Sequence, residues 1–358
     1  MIDCGKIDSS FLEQLRLWTK DNLVPFSATF ELTPFCNFSC VMCYVHLTPE
    51  EAKKQGNLLS AEQWIQVAKQ AQNLGTLNLT LTGGEPFLHP DFWEIYQELN
   101  KLGFLITILS NGSLINEEVI ENFRKYGNPY MIKLTIYGTS DETYLRTCNS
   151  PDGFTSFKKA VDLIKEASIP LALSSTIVKE NVDDLQSMYA FAREKNLPFQ
   201  HTISVVKSSR NSLNTIEKSR FNFDDYCDKL TLEDLEKSKY PSPETPFSLC
   251  NSFGNSFWMT WNGHLQMCSF MNVPYVSYSG DLSSDFKMLN EKLTELKNPE
   301  ECENCKYKIF CQRCPGILCS ESGNPEKTSD SLCSLAQRMY DLYESKKEKC
   351  YEKRIYCS

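Results

Sequence analysis

The chain has 358 residues, 41% hydrophobic and 23% charged, which is typical of a globular protein with two domains or one large barrel and an appendage. A formal net charge of −9 excludes the broad basic surface that nucleic acid or an anionic membrane would require. Residues 1–10 lack a signal-peptide pattern and no apolar run approaches the ~20 residues of a membrane span, so we expect a cytoplasmic protein without nucleic-acid or membrane partners.

Strand and helix patterns alternate between residues 26 and 206. Ser60 and Gln63 form a capping-box signature before one of the helices, and Asp91 is expected to cap the next. Strands are predicted at 26–33, 77–82, 105–109, 131–137, 171–178 and 199–206, with helices at 60–75, 91–102, 116–126, 154–167 and 183–196. Six such units in series predict a parallel sheet, open or closed into a partial barrel, whose strand-end loops build the site.

Three unusual loops follow the first three strands. Cys36, Cys40 and Cys43 form a C-x3-C-x2-C run, and Gly83-Gly84-Glu85-Pro86 and Ser110-Asn111-Gly112 end the next two strands. Three thiolates would hold a [4Fe–4S] cluster with one iron left open, which makes the cluster a reaction centre. The alternative is a zinc site completed by His46.

A second region begins near Cys250, after a polar bridge. Residues 257–261 and 264–268 flank Asn262-Gly263, which predicts a hairpin with a tight primed turn. A charged helix is predicted over 335–349. The expected organisation is an N-terminal segment, a barrel, a bridge, a cysteine-rich domain and a tail, at residues 1–25, 26–206, 207–249, 250–335 and 336–358.

The chain has sixteen cysteines, unevenly placed, with three in 36–43 and six in 302–333. Disulfides are rare in a reducing cytoplasm, so short-spaced cysteines favour metal ligation. The isolated Cys4, Cys148 and Cys227 are interpreted as ordinary thiols. Cys350 and Cys357 fit no ligand pattern.

The cysteine run after the first strand and Gly-Gly-Glu-Pro after the second resemble the radical S-adenosylmethionine (SAM) superfamily. The resemblance implies a partial (β/α)6 TIM-like barrel and SAM chelated to the open iron. One electron, from a reductant such as flavodoxin or ferredoxin, would cleave SAM and yield a 5′-deoxyadenosyl radical that abstracts hydrogen.

The resemblance also implies a set of SAM-binding residues. The glycines let backbone approach a ligand closely, Ser110 and Asn111 could bind ribose hydroxyls, and Arg146 could pair with the carboxylate. The alternative for Ser110 and Asn111 is a plain turn, and the alternative for Arg146 is a surface salt bridge. The full set is Met42, Tyr44, Gly83, Gly84, Glu85, Pro86, Ser110, Asn111 and Arg146.

The second region resembles the SPASM extension of this superfamily, through Cys250-x12-Gly263-x4-Cys268, a later C-x2-C-x5-C-x2-C run and a final cysteine. Its last internal gap has two residues where the family has three. The resemblance implies two auxiliary [4Fe–4S] clusters. Cys302, Cys305, Cys311 and Cys333 would hold one, and Cys250, Cys268 and Cys314 the other, completed by Cys319, by Cys227 or by no cysteine. A zinc-ribbon-like fold is the alternative.

Auxiliary clusters suit reactions that remove an electron from a substrate radical. The resemblance therefore implies oxidative cross-linking or dehydrogenation of a peptide or protein, with recognition by the barrel or by a separate protein. Sulfatase maturation is disfavoured, because Ser269 stands where those enzymes carry an aspartate. The alternatives are a dehydrogenase or epimerase acting on a small molecule or sugar, and a non-catalytic iron–sulfur electron carrier.

Overall fold

A computed structural model describes residues 9–203, 205–207, 209–210, 216–220, 230–241 and 245–355. The predictions made for Cys4, Cys227 and Cys357 lie outside these residues. The described strands are Ser27–Glu31 (β1), Asn78–Thr82 (β2), Leu105–Ser110 (β3), Met131–Thr135 (β4), Leu171–Thr176 (β5), Phe199–Thr202 (β6), Ser256–Met259 (β7), His264–Gln266 (β8) and Val276–Ser277 (β9).

These strands form one nine-stranded sheet in the order β6-β5-β4-β3-β2-β1-β7-β8-β9. Strands β1 to β6 pair in parallel in chain order, which confirms the six predicted β/α units. Because parallel neighbours all end at one edge, the loops that follow β1, β2 and β3 lie side by side.

Twelve α-helices accompany the sheet within the described residues. The final helix is longer than the predicted 335–349. Six of the twelve helices have no counterpart among the predicted helices. No helix among the described residues has the length and apolarity to cross a membrane. The helices are Ser9–Asp21 (α1), Pro49–Gln55 (α2), Ala61–Asn73 (α3), Phe92–Lys101 (α4), Glu117–Tyr126 (α5), Asp141–Cys148 (α6), Gly153–Glu166 (α7), Leu185–Lys195 (α8), Leu232–Lys237 (α9), Leu282–Thr294 (α10), Pro315–Ser322 (α11) and Asp330–Ile355 (α12).

The predicted capping box of α3 is confirmed. The Ser60 hydroxyl accepts the Gln63 N–H, and the Gln63 side chain accepts the Ser60 N–H in return. The predicted cap at Asp91 is only positional, because its side chain makes no capping hydrogen bond. Its own N–H instead donates to His89 Nδ1 at 3.1 Å.

Alternate strand residues separate the two faces of the sheet. Phe30 of β1 is fully buried and packs on Trp64 of α3, with ring centroids 4.9 Å apart. The intervening positions Thr29, Thr80 and Thr107 are paired across β1, β2 and β3 and are only half-buried. The outer face therefore carries the apolar core against the helices, and the inner face is polar.

The cysteine-rich region continues the barrel sheet. Strand β7 pairs in parallel with β1, and β7 and β8 form the predicted antiparallel hairpin. The predicted two-residue turn is wrong, because the Thr260 N–H donates to the His264 carbonyl and encloses three residues. Gly263 closes this loop at a φ of 83°, the left-handed conformation that a three-residue hairpin loop requires.

Candidate active site

The loop that carries Cys36, Cys40 and Cys43 is fastened to the end of α6. The Ser39 N–H donates to the Cys148 carbonyl and the Val41 N–H donates to the Thr147 carbonyl, both at 2.9 Å. These bonds fix the middle of the loop, on either side of Cys40, against the end of α6. The charges of Cys40 and Cys43 each contribute to raising the pKa of Cys36.

Burial raises the pKa of the Cys36 thiol, and it raises the pKa of Cys43 to about 11. Two backbone groups act in the opposite sense, since the Phe38 N–H donates to Cys36 Sγ and the His46 N–H donates to Cys43 Sγ, both at 3.3 Å. Such donors favour the thiolate, the form in which cysteine binds iron. The sulfurs of Cys36 and Cys43 can thus carry negative charge once a cationic iron centre compensates for their burial.

Cys148, interpreted from sequence as an ordinary thiol, lies beside Cys40. A hydrogen bond between the two side chains raises the pKa of Cys40 well above its usual value, and burial adds to the rise. The Tyr137 hydroxyl belongs to the same cluster, because burial and then the charges of Cys40, Cys148 and Cys36 raise its pKa. Only tertiary structure could reveal these neighbours, since Cys148 follows Cys40 by more than a hundred residues.

Gly83 and Gly84 pack directly against the cysteine loop. The Gly84 N–H donates to the Thr33 carbonyl at 2.7 Å and the Glu85 N–H donates to the Phe35 carbonyl at 2.8 Å. A Cβ on Gly84 would stand 2.2 Å from the Phe35 oxygen. These two amides therefore hold the cysteine loop in place, and the glycines are needed because two backbones meet there.

Gly84→Ala is expected to destabilise the fold by about 3 kcal/mol, because backbone rather than a movable side chain occupies the space of the new methyl group. Iron bound at the first cysteine set should fall with it. Anaerobic urea unfolding and iron analysis measure both effects. Gly103→Ala is the control, since φ is 78° there but no atom lies within 4 Å of the added Cβ. Equal losses in the two variants would contradict the packing argument.

Glu85 organises the third loop. Its fully buried carboxylate accepts hydrogen bonds from Ser110 Oγ at 3.0 Å and from the Asn111 N–H at 2.9 Å. Burial raises the pKa of Glu85 to about 7, although these hydrogen bonds oppose the rise. Asn111 Nδ2 in turn donates to Asn37 Oδ1 at 3.0 Å and approaches Cys36 Sγ at 3.7 Å. The three predicted loops thus form one connected site.

The remaining residues predicted to bind SAM differ in their placement. Pro86 is buried at the start of a short 3-10 helix, and Met42, which lies within the cysteine loop, is buried in the core. Arg146 lies on α6, half-exposed, and its Nε donates to the Glu180 carbonyl at 2.9 Å. Tyr44 turns toward the second region, where its ring contacts Phe270 at 5.3 Å.

Four cysteines of the second region gather at one place. The charges of Cys311, Cys333 and Cys305 all raise the pKa of Cys302, to about 11 with burial as the largest cause. The Arg313 N–H donates to the Cys311 sulfur and lowers the pKa of that thiol against the effect of burial. This set is the one that the resemblance assigned to an auxiliary cluster.

Cys250, Cys268 and Cys314 form a separate group. Burial raises the pKa of Cys268 to about 12, and the charges of Cys314, Cys250 and Cys319 add to the rise. Cys314 occupies the N-cap position of α11 without a side-chain capping hydrogen bond, and the Ile317 and Gly316 N–H groups lower the pKa of its thiol against the larger effect of burial. The Cys319 sulfur is 3.2 Å from Asn272 Oδ1 and 3.7 Å from the Val273 carbonyl.

A buried ion pair that the sequence interpretation missed lies between these sites. Glu31 ends β1, and its carboxylate accepts from Arg210 Nε at 2.9 Å and from Trp258 Nε1 at 2.8 Å. The neighbouring Ser209 Oγ donates to the Ser269 carbonyl at 2.6 Å. No local pattern marks these residues, because they come from β1, the bridge and β7.

Buried thiols and the N–H donors that face their sulfurs suit the iron–sulfur clusters implied by the resemblance. No three His, Cys, Asp or Glu side chains in the described ranges surround a single ion position, so this assignment rests on the chemistry of the donors and their neighbours. Cys36, Cys40 and Cys43 would hold the catalytic cluster and leave one iron for SAM.

Comparisons with known proteins show which family this chain is similar to. Residues 30–192 match the model of the Radical SAM superfamily. The sporulation killing factor maturation protein SkfB of Bacillus subtilis (strain 168) is 31% identical over 168 residues, which are 47% of this chain and 40% of SkfB. The AdoMet-dependent heme synthase of Methanosarcina barkeri (strain Fusaro / DSM 804) is 25% identical over 186 residues, 52% of each chain. The chain thus spans about half or less of the length of these curated relatives.

Among solved structures, Streptococcus suis SuiB bound to S-adenosylmethionine superposes with a TM-score of 0.62 at 16% identity, over 93% of this chain and 82% of SuiB. SuiB bound to its precursor peptide SuiA gives a TM-score of 0.63 at 15% identity, over 92% and 82% of the two chains. At such identities the likeness shows the fold, including the cysteine-rich region. Residues 30–192 therefore form a radical SAM domain, and members of that superfamily use SAM and a [4Fe–4S] cluster.

Proposed function

We propose that this protein cleaves SAM reductively and uses the resulting 5′-deoxyadenosyl radical to cross-link or dehydrogenate a peptide or protein. The observation that carries the proposal is the contact between Tyr44 and Phe270. Tyr44 follows the last cysteine of the first set, and Phe270 stands two residues after Cys268. An acceptor for the electron that an oxidation releases would therefore lie close to the radical site.

The inner face of the sheet supports a peptide substrate. Several of its half-buried positions are hydroxyl-bearing or charged, as at Thr80, Thr107 and Lys133, and can hydrogen-bond to peptide groups. A cavity of about 210 Å³ is lined by Thr29, Trp258 and Cys268, among others. Through this cavity the set formed by Cys250, Cys268 and Cys314 has access to the inner face of the sheet.

The names of the relatives support the same substrate class. SkfB is a maturation protein, and SuiB has been seen with a precursor peptide bound. The heme synthase supports the second candidate, a reaction on a small molecule. A cysteine set with only three ligands argues against the electron carrier, because an electron carrier does not need an open iron.

We further propose that the cysteine-rich region holds two auxiliary [4Fe–4S] clusters. One would be bound by Cys302, Cys305, Cys311 and Cys333. The other would be bound by Cys250, Cys268 and Cys314, with Cys319 or Cys227 as a possible fourth ligand. A reductant such as flavodoxin or ferredoxin, a separate recognition protein for the peptide, and a cytoplasmic location complete the proposal.

The test uses anaerobically reconstituted protein, dithionite, SAM and any short peptide that is found to be encoded beside its gene. We expect 5′-deoxyadenosine to form and the peptide to lose hydrogen, as measured by chromatography and mass spectrometry. Formation of 5′-deoxyadenosine without any change in the peptide would favour the small-molecule candidate. No formation at all would refute the radical reaction.

Cys302→Ala is expected to lower the iron content from about twelve to about eight atoms per chain, because one four-iron cluster loses a ligand. Cleavage of SAM should continue while the yield of modified peptide falls. Iron analysis and product ratios measure the two effects. Cys319→Ala provides the comparison, since an unchanged iron content there would remove Cys319 from the set of ligands.

A further inference from the structure

Arg313 stands between Cys311 and Cys314, which belong to different cysteine sets. Its side chain is buried, with a relative exposure of 6%. Its Nε and one terminal nitrogen are fully buried and have no hydrogen-bond partner among the described residues. Burying a guanidinium without a hydrogen-bond acceptor costs free energy. A group other than the described protein atoms must therefore offset this cost.

The backbone of Arg313 is also unusual. Its φ is 42°, in the left-handed region where a side chain costs about 1–2 kcal/mol relative to the ordinary helical region. Only two residues separate Cys311 from Cys314, which belong to different cysteine sets, so the Cys311-Gln312-Arg313-Cys314 segment must turn sharply. Glycine would adopt this conformation without cost, yet arginine occupies it.

The surroundings of Arg313 indicate what its guanidinium faces. Arg313 lies two residues after Cys311 and directly before Cys314, and its guanidinium is near enough to the buried Cys302 and Cys311 for its positive charge to act on both sulfurs. Its backbone N–H donates to the Cys311 sulfur. A cation with unsatisfied N–H groups next to a set of four thiols fits a negatively charged group bound by those thiols.

We propose that Arg313 is the counter-cation of the auxiliary cluster at Cys302, Cys305, Cys311 and Cys333, and that it favours the reduced state of this cluster. The inference rests on the proposed function, which supplies the cluster. Four thiolates give a cluster net negative charge, and one-electron reduction adds another negative charge. A buried cation therefore stabilises the reduced form more than the oxidised form, because solvent screens it little.

Lys306 offers a matched control. It is also a cation next to a ligand, Cys305, but it is exposed and lies over the Tyr307 ring at 4.8 Å. Water screens its charge, so its removal should affect the cluster much less.

The experiment compares the reconstituted full-length protein with Arg313→Gln, Arg313→Lys and Lys306→Gln. Iron is counted first, and the reduction of the auxiliary clusters by dithionite is then followed by electron paramagnetic resonance as a function of potential. We expect Arg313→Gln to disfavour reduction of one cluster at least tenfold, which is about 59 mV for one electron. Arg313→Lys should restore most of the shift, and Lys306→Gln should change the equilibrium less than twofold.

Each outcome decides the inference. Should the glutamine variant lose about four irons while the lysine variant keeps them, the need for a cation at this position is supported directly. Loss of iron from both variants would make Arg313 a packing residue and refute the inference. So would an unchanged potential in fully loaded Arg313→Gln. Only about four irons in the unmodified protein would instead show that the auxiliary clusters themselves are absent.

Discussion

Cys36→Ala is expected to abolish the formation of 5′-deoxyadenosine and to lower the iron content from about twelve to about eight atoms per chain. Two remaining thiols cannot hold a four-iron cluster that already has one open site. Cys36 is also the cysteine that Asn111 approaches at 3.7 Å, so its loss removes one contact between the cysteine loop and the third strand-end loop, while the Asn111 to Asn37 hydrogen bond remains. Anaerobic iron analysis and chromatography of the SAM products measure both effects.

Cys350→Ala is the matched control, because Cys350 lies outside both cysteine patterns. It should keep the full iron content and the full rate of SAM cleavage. Cys148→Ala tests a thiol that lies beside the proposed ligand Cys40. Continued cleavage in Cys36→Ala, or equal iron loss in Cys36→Ala and Cys350→Ala, would contradict the assignment of the catalytic cluster.

Arg210→Met is expected to cost about 3–5 kcal/mol in the free energy of unfolding. Glu31 is fully buried and Arg210 is 5% exposed, so removal of the guanidinium leaves a carboxylate inside the protein without its cation. Trp258 Nε1 would remain as a single donor to that carboxylate. Because the pair joins β1 to the bridge segment, its loss should also weaken the packing around Cys268. Anaerobic urea unfolding measures the change.

The double variant Glu31→Gln, Arg210→Met should be less destabilised than Arg210→Met alone, because it leaves no buried charge. Lys101→Met tests a surface pair in the same fold, since Lys101 and Glu98 are exposed and contribute at most about 1 kcal/mol. A double variant less stable than Arg210→Met alone would show that the uncompensated carboxylate of Glu31 does not cause the destabilisation.

Much of the barrel could be predicted from the sequence because its signals are local. Alternation within a strand, the Ser60 capping box and the glycines after β2 each act within a few residues. The assignment of Cys36, Cys40 and Cys43 as cluster ligands comes from their C-x3-C-x2-C spacing and stays a prediction. The three-residue hairpin loop and the missing side-chain cap at Asp91 were mispredicted because several local geometries suit those residues.

By itself, then, the sequence determined the class of chemistry and the elements that present it. Tertiary structure decided which residues surround that chemistry. Glu31 meets Arg210 across 179 residues and Trp258 across 227, and Cys148 reaches Cys40 only when α6 packs on the cysteine loop. Parallel strand pairing sets these contacts, and pairing depends on packing of the whole sheet rather than on any short pattern. The buried charge of Arg313 has the same origin, because burial is a property of the folded chain alone.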